Sequence, residues 1–107
     1  MYGATELTPT QQLESKAGEA ADFLRLLANE KRLLVLCQLL RRSEMDVTSL
    51  ARTVGLSQSA LSQHLARLRE DGLVTYRREA QTLHYRLSDP RVARMIGTLR
   101  DIFGPDL

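Results

Sequence analysis

Gln63 offers the most specific chemistry in this sequence. Its amide can bond the edge of an adenine at two points, Ser59 and Ser62 can reach bases or phosphates, and Arg67 can reach guanine or phosphate. On a helix from Gln58 to Asp71, at about 100° per residue, Leu61, Leu65 and Leu68 gather on one side. Ser59, Gln63 and Ala66 fall opposite, flanked by Ser62 and Arg67. The outward face of the first two turns is therefore small or amide-bearing, as a helix entering a major groove about 12 Å wide requires. Ser57 is the natural N-cap before Gln58, and such an end directs free N–H groups at phosphate oxygens. His64 falls at the edge of the buried side and suits packing or a phosphate contact. Arg77, Arg78, Gln81 and Arg86 follow in a basic stretch suited to holding phosphates or entering a minor groove. A solvated surface uses the same residue types, so the arrangement of elements around these side chains has to decide.

No constellation for catalysis stands out: there is no paired-carboxylate, nucleophile–base or phosphate-loop pattern. Cys37 is the only cysteine, which excludes an intrachain disulfide and a multi-cysteine zinc site within one chain. It lies on an apolar stripe, where a lone cysteine behaves as a small buried hydrophobe; it is also the candidate thiol sensor. Two histidines, His64 and His84, are too few for a dedicated metal site. No metal and no cofactor are expected.

The elements that must position these residues are mainly helical. Residues 1–14 read as a flexible arm, with Gly3 and Pro9 among polar residues. From about Ser15, Ala17, Ala20, Ala21, Leu24 and Leu27 recur at helical spacing, until Asn29 breaks and caps. Leu33, Leu36, Cys37 and Leu40 form the stripe of a second helix ending at Arg41-Arg42-Ser43. A third, short helix is predicted over Thr48–Val54, with Thr48 as N-cap and Gly55 as stop. With the helix from Gln58 it makes a helix-turn-helix unit. After Gly72 the period changes to two. Leu83, Tyr85 and Leu87 alternate with polar residues and pair with Val74, Tyr76 and Arg78 across the turn Glu79-Ala80-Gln81-Thr82. Asp89-Pro90 opens a last helix with Val92, Met95, Ile96, Leu99 and Phe103 on one stripe, and Gly104-Pro105 stops it. The expected fold class is mainly α with a small β-hairpin, a winged helix-turn-helix of order ααααββα. Residues 15–104 form the DNA-binding and dimerisation domain and 105–107 a tail.

At 107 residues the chain is one domain, small enough that an oligomer would help it cover its core. Its net charge is +2, but the excess is local. Residues 46–94 carry eight arginines against five acidic residues, which points to a polyanionic partner. No apolar run is long enough for a membrane span, and MYGATELTPTQQLE lacks the basic and apolar regions of a secretory signal. A cytoplasmic protein with no membrane partner is expected.

The segments LLANEKRLLVLCQLL, LARTVGLSQSALSQHLARLREDGLV and RREAQTLHYRL resemble the ArsR family of small bacterial winged-helix repressors, over roughly residues 17–104. The cysteine in LLVLCQLL and the REAQT turn look most like members that sense sulfide, persulfide or redox state, or that activate virulence genes. The resemblance implies a homodimer built from the first and last helices, operator binding through Gln58–Asp71, and a wing made by the hairpin. Ala17, Ala21 and Leu24, with Val92, Met95, Ile96, Leu99 and Phe103, are then the expected dimer interface. Two-fold symmetry implies double-stranded DNA with an inverted-repeat operator. Metal-sensing members carry a Cys-x-Cys pair where this chain has Asp46 and Thr48. Persulfide-sensing members have a second cysteine where it has Gly104, so no dithiol switch is expected. The sequence names no effector. The leading expectation is a homodimeric transcriptional repressor. The alternative is a protein-interaction or anti-repressor module in which dimerisation and partner docking outweigh operator reading.

Overall fold

A computed structural model describes residues 6–107. Five helices and three strands follow in the order α1 (Pro9–Leu27), α2 (Glu30–Arg42), β1 (Met45–Asp46), α3 (Val47–Val54), α4 (Gln58–Glu70), β2 (Val74–Glu79), β3 (Thr82–Leu87) and α5 (Pro90–Phe103). Each helix start has a local chemical cause. Asn29 caps α2 by accepting from the Arg32 N–H, and Ser57 caps α4 by accepting from Ala60. Asp89 caps α5 ahead of Pro90, as the sequence predicts.

Three expectations need correction. Helix α1 begins at Pro9 and not near Ser15, because Thr8 and Gln11 form a reciprocal capping box with Pro9 in the first helical position. Residues 9–14 of the expected arm are thus helical, while residues 1–5 of it lie outside the described residues. The cap of α3 is Asp46 and not Thr48: its carboxylate accepts from the Ser49 N–H at 3.0 Å. The sheet has a third strand, β1, two residues that pair antiparallel with β3 to give the order β1-β3-β2. A two-residue strand is too short to show a period.

Helix α2 runs through the centre of the molecule, with Val35, Leu36, Cys37 and Leu39 buried. It packs against α1, α3, α5 and β3. The core is completed by Leu50, Leu61, Leu65, Leu68, Leu73, Val74, Val92 and Ile96, all essentially inaccessible. Burial of α2 is broader than the stripe predicted from spacing: Leu33 and Leu40 are only partly covered, while Val35 and Leu39 are closed off. Helix α3 ends at Gly55, in the left-handed conformation (φ +71°) that glycine adopts without steric cost. Lys31 Nζ donates to the Val54 carbonyl at 3.0 Å, tying α2 to this turn.

Candidate nucleic-acid interface

Helices α3 and α4 pack on each other across the Gly55–Ser57 turn, so the orientation of α4 is set by core leucines below it. Leu61, Leu65 and Leu68 are buried, as the helical spacing predicts. Gln58, Ser59, Ser62, Gln63 and Arg67 are exposed and His64 is half-buried. No acidic residue occurs in α4 before Glu70. The exposed side of its first three turns is therefore free of the charge that would repel phosphate.

The hairpin brings one further predicted residue to this face. Gln81, exposed at the β2–β3 turn, lines a shallow cleft with Asp46, Val47, Thr48, Gln58, Thr82 and Leu83. The amide of Gln58 donates to the Thr48 hydroxyl at 3.1 Å inside that cleft, joining the starts of α3 and α4. The sheet is anchored to α4 through aromatic rings. Arg69 lies 5.0 Å from the Tyr76 ring centre, and Tyr76 packs tilted on Tyr85 at 5.3 Å. Arg69 is not among the residues expected at the site. Its position two residues past Arg67 is plain in the sequence, but the ring it meets comes from β2 and is not.

Two predicted contacts are already engaged within the chain. Arg67 Nε donates to Asp71 at 2.9 Å, near the far end of α4. Its surroundings there are Asp22, Arg25, Leu26 and Arg32, and it lies outside the cleft that holds Gln58 and Gln81. Arg77 is held by Glu44 and Glu79. Arg78 and Arg86 are exposed and form no ion pair among the described residues. His84 is only 24% exposed at its side chain, with Nε2 3.9 Å from Glu79, so it is less open than a plain surface histidine.

Cys37 is buried at 4% exposure. Burial pushes its thiol above the ordinary value, against the opposing pull of Arg100 and Arg41. Arg100 comes from α5, a neighbour that the stripe of α2 alone could not reveal. At the positions where metal-sensing relatives are expected to carry thiolates, Asp46 is engaged as a helix cap, and hydrogen bonds from Ser49 hold its carboxyl below the usual range. Among the described residues no group of three or more His, Cys, Asp or Glu side chains is placed to hold a metal ion.

The expected dimer surface divides. Val92 and Ile96 are wholly buried in the chain's own core and cannot face a partner. Their place on the stripe is correct, but the inner side of α5 takes them. Met95, Leu99 and Ala21 are half-buried, and Ala17, Leu24 and Phe103 are exposed. Leu13 and Ile102, not predicted, are 69% and 65% exposed. Arg91 of α5 lies over the Phe23 ring of α1 at 4.6 Å.

Residues 29–76 match the family model described as bacterial regulatory protein, arsR family. The nodulation protein NolR of Rhizobium meliloti is 54% identical over 87 residues, covering 81% of this chain and 70% of its own. The transcriptional activator HlyU of Vibrio cholerae is 48% identical, covering 87% and 85%. The crystal structure of NolR from Sinorhizobium fredii superposes with a TM-score of 0.81 at 48% identity, covering 94% of this chain and 98% of that one.

Proposed function

Because the chain belongs to the bacterial ArsR family of regulatory proteins, among regulators of the HlyU kind, we propose that it is a homodimeric repressor that reads an inverted-repeat operator. The observation that carries this reading is the exposed face of α4. Ser59, Ser62 and Gln63 stand on a helix whose start is capped, whose first three turns hold no carboxylate and whose back is fixed by buried leucines. A helix with side chains is about 10–12 Å across, which suits a major groove of about 12 Å. The hairpin beside it carries Arg78 and Gln81 towards the flanking backbone. A dimer that covers promoter DNA in the cytoplasm represses by occupancy alone and needs no cofactor. HlyU is named an activator. That name favours the alternative, an anti-repressor module in which dimerisation and partner docking outweigh operator reading.

Metal control is not part of this reading, since Asp46 and Thr48 offer no thiolate where soft ligands would be needed. Nor is a dithiol switch: Cys37 is the only cysteine in the chain. The test is selection of bound genomic fragments, followed by salt titration on the selected operator and on random duplex. A steep loss of affinity with salt on both, and an inverted repeat among the selected fragments, are expected. Gln63→Ala should then relax base preference by roughly 1–3 kcal/mol at one position in each half-site. Salt-independent binding, or full base preference in the alanine variant, would refute the reading.

A further inference from the structure

Arg77 stands in the basic hairpin, yet its guanidinium is turned back onto the protein. Its Nε donates to both oxygens of Glu44, at 3.1 and 3.0 Å, and its Nη2 donates to Glu44 Oε1 at 2.8 Å. Its Nη1 donates to Glu79 Oε2 at 2.8 Å. These contacts use the forked face by which arginine holds a carboxylate at two points. The two carboxylates come from different places. Glu79 is on the same strand, at the hairpin end, while Glu44 sits in the α2–β1 connection, 33 residues away in sequence. The register explains how they meet. Arg77 and Asp46 both pair with His84, so all three lie on one face of the sheet, and Glu44 is two residues before Asp46. Strands are about 4.8 Å apart, so Arg77 reaches across β3 to the residue just before β1. The side chain thus bridges the whole width of the sheet, from β2 to the end of α2. A phosphate approaching this guanidinium would meet two carboxylates already bonded to it.

We propose that Glu44, Arg77 and Glu79 form a clamp that fixes the wing against the helical core. Arg77 is then a positioning residue, and Arg78 and Gln81 are left to meet the DNA. The inference rests on the operator-binding reading given above. It assigns to Arg77 a role opposite to the phosphate contact that its place in a basic hairpin suggests. Arg78 differs by one residue and therefore points to the other face of the strand. It has no carboxylate partner among the described residues.

The experiment is a double-mutant cycle on the full chain, using Glu44→Ala, Arg77→Ala and the pair together, with Arg77→Lys and Arg78→Ala alongside. Operator affinity is measured across a range of salt. Both single alanine variants should lose roughly threefold to fivefold, the scale of one surface ion pair, and the double variant should lose no more than either. Arg77→Lys keeps the charge but not the fork, so it should lose as much as Arg77→Ala. The slope of log affinity against log salt should be unchanged in all of these and shallower by about 1 in Arg78→Ala. Three results would overturn the clamp: full affinity in Arg77→Lys, a shallower slope in Arg77→Ala, or tighter binding in Glu44→Ala. Amide hydrogen exchange of the free protein separates this from failure of the DNA reading. If the parent chain binds no DNA, the functional reading falls. Glu44→Ala should still speed exchange in β2 and β3, and unchanged exchange there would dispose of the clamp as well.

Discussion

Cys37 shows how one side chain's neighbourhood decides its chemistry. The thiolate is the reactive form, and burial against apolar α2 neighbours disfavours it more than Arg100 and Arg41 favour it. The folded chain therefore retains the thiol proton at a pH where an unfolded chain loses it. The stability gained this way is fully present below the ordinary thiol pKa and is lost as pH rises through the raised one. In the native protein, alkylation should be slower than in the unfolded chain and should accelerate at a higher pH than for a free cysteine. Iodoacetamide labelling followed by mass spectrometry checks this, with operator binding measured after polysulfide treatment. Fast native labelling, with DNA release that Cys37→Ser lacks, would make the residue a one-thiol sensor instead. The burial was legible from the stripe alone. The flanking Arg100 was not, because it arrives from α5, 63 positions later, and side-chain spacing reports only neighbours on the same helix. The same limit hid the engagement of Arg77: its charge is plain in the sequence, but Glu44 reaches it only through the pairing of β1 and β2 with β3.

At the scale of elements, the best-read parts were those with both a period and a chemical stop. Helix α4 has Ser57 before it and Gly72 after it, and α5 has Asp89-Pro90 and Gly104. Helix α1 starts before its apolar repeat, and Pro9 serves equally in a loop and in a first helical turn. The Thr8–Gln11 pair that settles the matter lies before the apolar repeat begins. The hairpin turn carries local backbone strain, as does Ser43 after α2 at φ +70°. Ala80 has φ +56°, a conformation that crowds a Cβ and that glycine or asparagine would normally take. The left-handed conformation costs an ordinary residue roughly 1–2 kcal/mol. Ala80→Asn should therefore raise unfolding free energy by roughly 0.5–1 kcal/mol, since asparagine tolerates this region better. The measurement is a urea midpoint at constant m-value. A midpoint at or below that of the parent would mean that the turn relaxes without cost. The variant leaves Gln81 in place, so operator affinity should hold.

The whole molecule is more extended than its length requires. A compact chain of this size has a radius of gyration of about 13 Å, whereas this one has 17.1 Å and extends 57 × 35 × 21 Å. Helix α1 accounts for much of the difference: of its 19 residues only Leu27 is buried. Leu13 and Leu24 on α1, and Ile102 and Phe103 at the end of α5, present apolar surface to water at 50–75% exposure. An isolated protomer leaves that surface uncovered, while a second copy would bury both helix ends at once. The symmetric assembly would set two α4 helices about 34–36 Å apart, one turn of DNA. Leu24→Glu and Phe103→Glu test this without touching the core, since Leu24 is half exposed and Phe103 three-quarters exposed. Each should leave monomer stability within about 0.5 kcal/mol, as surface changes do. Each should nevertheless convert the protein to a monomer in sedimentation at micromolar concentration. Operator affinity should then fall by at least about a hundredfold, because the second half-site would no longer be engaged within one tethered complex. Val92→Glu is the contrasting variant: it places a charge at a wholly buried position and should unfold the chain outright. A dimer that survives both surface charges, with operator affinity intact, would require a different face for assembly and a different spacing of the two reading helices.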